Sequence, residues 1–279
     1  MLYKNKQIEL LHNKYVEAIF QIAQIEDKGI TFPKTFEIVN DLEKAENEIP
    51  KKQIDIVLGI KRAYEYVIEL ANSSEPITTR DLQSINRYID EYESSTKAGE
   101  WRKWEVGISA TKYTPPTHPH YHYTQLFYSF FKDDNYTFAS ICKLCGLITK
   151  LQPFNNGNKR TAICFCNALL VKKNIIPIQI IDYVEYIEKL IAYYNDESKI
   201  NDYVKFLMEQ SHYNQNEQHE TREEKILNII KSTPNINKIK IAYLLNVSEP
   251  TISRTIASLI KSGKLGSKTS NKSGKWIIK

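Results

Sequence analysis

Apolar residues recur at helical spacing, three and four apart with polar residues between, through positions 5–27, 53–72, 80–94, 122–132, 136–150, 158–173 and 181–209. That periodicity predicts a helix in each window. Two places break it. Around Val106, Ile108 and Tyr113-Thr114-Pro115-Pro116 the pattern alternates and then runs into prolines, which predicts a short β-hairpin. From Leu151 to Arg160 a polar, glycine-containing loop leads into a helix start. The stretch Ser211 to His219 is polar and without period, so it reads as a linker with a boundary near residue 215. Beyond it, Ile226, Leu227, Ile229 and Ile230 mark a short helix stopped by Pro234, and Ile239, Ile241, Ala242, Leu244 and Leu245 mark a second. Asn246 supplies a tight turn, Ser248 an N-cap and Pro250 a first-turn residue for a third helix, which is expected to bury Ile252, Ile256, Leu259 and Ile260. Leu265 and the Trp276-Ile277-Ile278 strand then flank a polar tip. The expected fold is mainly α with a small hairpin. A first domain spans 1–212, a linker 213–221, and a second domain 222–279.

Length and composition agree with two modest domains. The 279 residues are 42% hydrophobic and 25% charged, which excludes a disordered or collagen-like chain. No apolar run approaches the roughly 18 residues of a membrane span, and the first residues lack a secretory signal pattern. Four cysteines cannot form a disulfide scaffold and are expected to be reduced thiols. The expectation is a soluble, cytoplasmic protein with no membrane partner and no resident structural metal. Cys142-x-x-Cys145 and Cys164-x-Cys166 have zinc-like spacing, but both fall in predicted helices, where residues two apart diverge by about 200°. Buried thiols are the better reading.

Charge is unevenly placed. The net +5 divides into +8 over His219 to Lys279, where twelve Lys and Arg face four acids, and −3 over the first 218 residues. A basic end suggests a polyanion partner. The run IAYLLNVSEPTISRTIASLIKSGKL, with its three helices and basic hairpin, resembles the winged helix-turn-helix family. In that family the third helix enters the major groove of DNA. The resemblance nominates Ser248, Thr251, Ser253, Arg254 and Thr255 for bases or phosphates, and Lys268 and Lys272 for the backbone. Winged helices also serve as protein-binding modules, so the charge is what favours DNA.

The loop at 152–160 carries its own chemistry. Gly157 permits a sharp turn, and the helix that follows opens with unpaired N–H groups, which together with its dipole favour an anion. Lys159 and Arg160 sit at the end where cations are unfavourable unless an anion compensates. The bland alternative is an ordinary turn into a helix. The run PFNNGNKRTA resembles the Fic motif, HPFx(D/E)GN(G/K)R, and Gly99-Glu100-Trp101-Arg102, Val106-Gly107-Ile108 and Tyr113-x-Pro115-Pro116 resemble that family's flap and its approach. The family is mainly helical, and its characterised members mostly transfer AMP from ATP to a hydroxyl of a target protein. The resemblance implies that Phe154 anchors the loop, that Gly157 and Asn158 cradle phosphates, and that Lys159 and Arg160 pair with phosphate oxygens. It also implies that the flap at Val106, Gly107, Ile108 and Ser109 holds the target by strand addition.

Two departures bear on activity. Gln152 stands where the family has the histidine that accepts the hydroxyl proton, and a glutamine cannot accept it. Asn156 stands where the family has the Asp or Glu that holds Mg²⁺, which weakens the case for that ion. Together they predict weak or lost catalysis. His118, His120 and His122 read as an exposed polar loop, with His122 the sole surrogate base worth considering. Glu26 is the nearest match to the glutamate with which many family members block the motif arginine, though its flanking residues differ from the usual pattern. The expected function is thus a Fic-type adenylyltransferase-like protein that binds ATP. Its rivals are a DNA-binding regulator whose Fic domain senses nucleotide or a partner without turnover, and transfer of another phosphate-containing group, since Lys159 resembles a kinase-like branch. Target, DNA site and oligomeric state, a homo-oligomer included, stay open.

Overall fold

A computed structural model describes residues 3–92, 97–108, 110–117, 123, 125, 127, 136–216, 221–245, 248–266 and 274–278. Chain contacts divide it into two compact units, Met1–His212 and Tyr213–Lys279.

The first unit is helical. Helices α1 (Lys6–Asn13) and α2 (Tyr15–Ala23) are followed by α3 (Phe32–Asn40), α4 (Leu42–Glu48), α5 (Lys51–Asn72) and α6 (Thr79–Asp90). Then come α7 (Phe138–Leu151), α8 (Asn158–Lys172), α9 (Tyr183–Asn195) and α10 (Ile200–Asn216). At the centre lies α8, whose run TAICFCNALLV has no polar face and is buried throughout. It packs against α5, α6 and α7. The close approach of α5 to α6 depends on Gly59, where a Cβ would come within 2.6 Å of the Ile89 carbonyl. That approach sets the depth at which Ile89 and Asp90 meet the loop ahead of α8.

Several expected elements differ from those observed. The window 5–27 is two helices, because the chain leaves helical geometry at Lys14 (φ −110°, ψ 18°). The window 181–209 also splits, because the Asp196 carboxylate caps a new turn by accepting from Ser198 N–H at 2.9 Å. The short helices α3 and α4 fall between the predicted windows. Helix α10 continues to Asn216, so the first part of the expected linker is helical. The hairpin expected near Val106 has no strand among the described residues. Ala110 has φ 65° there, and the carbonyls of Trp104 and Pro116 accept from the Arg102 side chain instead of from a neighbouring strand. All four cysteines are free and buried, and no group of metal-binding side chains occurs among the described residues.

The second unit comprises α11 (Arg222–Ser232), α12 (Lys238–Leu244) and α13 (Glu249–Lys261), then an antiparallel pair of β1 (Leu265–Gly266) and β2 (Ile277–Ile278). Ile226, Ile230, Ile241, Ile252, Ile256, Leu259 and Trp276 form its core. Trp276 Nε1–H donates to the Ile236 carbonyl at 2.8 Å, which ties the start of β2 to the turn before α12. Ile260, expected inside, is instead exposed, because Ile252, Ile256 and Leu259 already fill the inward stripe of α13. Asn246, Val247, His118, His120, His122, Lys268 and Lys272, with most of the predicted helix 122–132, lie outside the described residues.

Candidate functional site

The loop between α7 and α8 is built from its own side chains. Gln152 caps α7 in the left-handed region (φ 46°, ψ 58°), turning the chain sharply. Phe154 is buried and stacks on Trp101, ring centroids 5.0 Å apart. Asn158 closes the loop: its Oδ1 accepts from Phe154 N–H, and its Nδ2 donates to the Phe154 carbonyl and to Gln152 Oε1, each at 2.9 Å. Gln152 Nε2 in turn donates to the Thr149 carbonyl at 2.7 Å. The side chains of Gln152 and Asn158 are therefore committed to holding the turn.

Gly157 enters α8 with φ 72°, and a Cβ there would lie 2.9 Å from Ile89 Cγ2. Both facts call for glycine. The helix ladder opens with Thr161 N–H donating to the Gly157 carbonyl at 2.8 Å, so the amides of Asn158 and Lys159 lie ahead of its first rung. Arg160 is fully buried, and its Nη2 lies 3.2 Å from the Glu26 carboxylate. Glu26 follows α2 on a turn in which its N–H donates to the Ala23 carbonyl. Burial holds the Lys159 ammonium below the usual lysine pKa; the Glu26 charge opposes that shift and the Arg160 charge adds to it. Two cations at a helix N-terminus, Arg160 fully buried and Lys159 half-buried, favour an added anion.

Three residues given no role from sequence support the loop. Asn86 donates to the Asn156 carbonyl (2.9 Å) and Thr161 Oγ1 (3.0 Å), and its Oδ1 accepts from Gly99 N–H (2.9 Å). Asp90 accepts from Asn156 Nδ2 at 2.8 Å. Arg102, fully buried, donates to the carbonyls of Leu151, Gln152, Trp104 and Pro116 and to Thr117 Oγ1. Leu151 and Gln152 are the last carbonyls of α7, the groups a helix end leaves without partners. A faint signal for two of these existed in the sequence. Asn86 and Asp90 are polar residues on the α6 face that also carries Leu82, Ile85 and Ile89.

The other nominated residues fall as follows. Val106 and Ile108 are half-buried and Gly107 exposed, in an irregular segment, while Ser109 lies outside the described residues. In the second unit Ser248 and Arg254 are exposed, and Thr251, Ser253 and Thr255 are half-buried along α13. Ser248 Oγ and Thr251 Oγ1 are 2.8 Å apart at the helix start.

A left-handed glycine turn that leads into a buried helix with two basic residues is an arrangement that favours an anion. Residues 76–170 match the Fic/DOC family model, so the resemblance carried by the motif holds over that segment. "Protein adenylyltransferase Fic" of Nematostella vectensis is 27% identical over 190 residues, covering 63% of this chain and 43% of that protein. The chain thus spans less than half the length of that relative. Among solved structures, Fic-1 from C. elegans aligns with a TM-score of 0.57 at 16% identity, over 92% of this chain and 66% of that one. A Fic domain containing signaling protein from Bacteroides thetaiotaomicron aligns with 0.58 at 16% identity, over 75% of this chain and 87% of that one. At such identities the likeness is one of fold.

Proposed function

We propose that the first unit is an adenylyltransferase-like domain that binds ATP at the 152–160 loop and transfers AMP slowly or not at all. The observation that carries this reading is the Glu26 carboxylate 3.2 Å from Arg160. An anion from the chain itself occupies the guanidinium that the family resemblance assigns to a nucleotide phosphate, so the chemistry of this loop fits an anionic ligand. AMP transfer would form a bond from a protein hydroxyl oxygen to the α-phosphorus, break the bond to the bridging oxygen and release pyrophosphate. The hydroxyl proton then needs an acceptor. Gln152 offers none, since its Oε1 already accepts from Asn158 and an amide oxygen takes up no proton at neutral pH. Mg²⁺, held with the nucleotide at Asn156, would neutralise phosphate charge. The target, a protein hydroxyl, would lie along the segment at Val106–Ile108.

Intact-mass spectrometry after incubation with ATP and Mg²⁺ tests the reading. Little or no added AMP is expected on the chain itself, and rapid modification would overturn the assignment of Gln152. The Glu26 contact gives a second expectation. A charge-assisted hydrogen bond contributes about 1.5–3 kcal/mol, and a bound phosphate must displace it. Glu26→Gly should therefore tighten ATP binding about tenfold or more, read by calorimetry; unchanged affinity would remove Glu26 from any inhibitory role.

A second reading rests on the +8 of the C-terminal segment and the exposure of Ser248 and Arg254 on α13. In it the second unit is a winged helix that binds DNA, and the first senses nucleotide or a partner. Arg254→Ala should weaken DNA binding and reduce the salt slope by about one if the contact is to a phosphate. ATP affinity should stay the same. A parallel loss of ATP binding would contradict the separation of the two sites.

A further inference from the structure

Asn156 lies where the Fic motif places a carboxylate, and a neutral amide is a weak partner for a hard cation. The structure puts the missing carboxylate one residue away in space. Asn156 Nδ2 donates at 2.8 Å to Asp90, which ends α6 and is 1% exposed. This hydrogen bond decides how the planar amide is turned. With Nδ2 held by Asp90, the oxygen of the half-buried Asn156 points away from it, and that oxygen accepts no hydrogen bond among the described residues. The Asn156 carbonyl accepts from Asn86, so the backbone beneath the side chain is fixed as well.

We infer that Asp90 is a positioning residue for a divalent cation, acting through Asn156. This rests on the nucleotide-site reading above. A carboxylate behind a ligand fixes the ligand's orientation and makes its oxygen a better donor to a metal. Here the orienting bond also draws electron density toward the Asn156 oxygen, so much of the motif's negative charge is retained at one remove. The arrangement explains the amide too. With Asp90 in place, an aspartate at 156 would set two carboxylates at hydrogen-bond distance, where they repel. Asn156 and Asp90 are complementary.

The test compares ATP affinity in excess Mg²⁺ with that in EDTA, measured by calorimetry on the full chain and on two variants checked by thermal melting. In the native chain Mg²⁺ should tighten ATP binding. Asp90→Asn should weaken that metal-dependent gain about 10- to 100-fold, the usual loss when an outer-shell partner of a metal ligand is removed, and should lower affinity in EDTA by much less. Asp90→Asn combined with Asn156→Asp exchanges the two groups, keeps a donor facing an acceptor, and should restore the gain. An equal loss in Mg²⁺ and in EDTA would make Asp90 a structural partner only and overturn the inference. So would a native chain whose ATP affinity ignores Mg²⁺, or a double variant that folds without regaining the response. A native chain that binds no ATP in either buffer would instead overturn the nucleotide-site reading, and this inference with it.

Discussion

Gln152→His is expected to raise the rate of AMP transfer by about 10²–10⁴, the usual worth of a positioned general base. The position is prepared for the exchange. Gln152 sits in a left-handed cap whose backbone is held by Arg102, and its side chain lies within the loop at hydrogen-bond distance from Asn158. An imidazole there can accept from Asn158 on one nitrogen or take the hydroxyl proton on the other, and it titrates near neutral pH. The rate is read from the time course of AMP incorporation by intact mass. A gain below tenfold would show that the base is not the limiting part, and would direct attention to the Glu26 contact and to the Asn156–Asp90 pair.

Arg102→Ala is expected to cost the largest share of stability. Its guanidinium satisfies four carbonyls, two of them the last of α7, while its own N–H donates to the Pro153 carbonyl at 2.7 Å. A buried acceptor left without a donor costs about 1–3 kcal/mol; the Leu151 carbonyl is buried and that of Gln152 partly so, whereas Trp104 and Pro116 are exposed, so the loss should reach about 2 kcal/mol or more. A cation at the carboxyl end of a helix adds to the effect. Arg102→Lys keeps the charge but offers three donors on a point instead of a planar fork, and should recover part of the loss. Urea unfolding measures both. A loss under about 1 kcal/mol for the alanine variant would mean that water replaces the guanidinium, and that Arg102 does not hold the segment 101–117 against the loop.

What could be read from the sequence was local. Phe154 and Gly157 announce themselves because an anchor and a left-handed turn depend on their own residue types. The long helices α5 and α8 follow from unbroken apolar periods. The support of the loop was hidden, because Asn86, Asp90 and Arg102 act across 49 to 75 residues of chain. A buried Arg whose acceptors are backbone carbonyls leaves no acidic partner in the sequence to pair with it. The hairpin expected around Val106 has no strand among the described residues, where the Trp104 and Pro116 carbonyls accept from the Arg102 side chain. Helices α9 and α10 looked continuous because apolar spacing carries across Asp196, whose carboxylate caps a new turn by accepting from Ser198 N–H. Glu26 was recognisable only through the family pattern, and its turn, placed after α2, brings it to Arg160.

On the proposed function, the turn from Asn155 into α8 receives the phosphates of ATP. Amide hydrogen exchange over residues 152–161, followed by mass spectrometry with and without ATP, tests it most directly. Exchange in this segment should slow with ATP and stay unchanged with adenosine, because the amides ahead of the first helical rung would then donate to phosphate oxygens. ATP binding that protects other segments and leaves 152–161 unchanged would contradict the account.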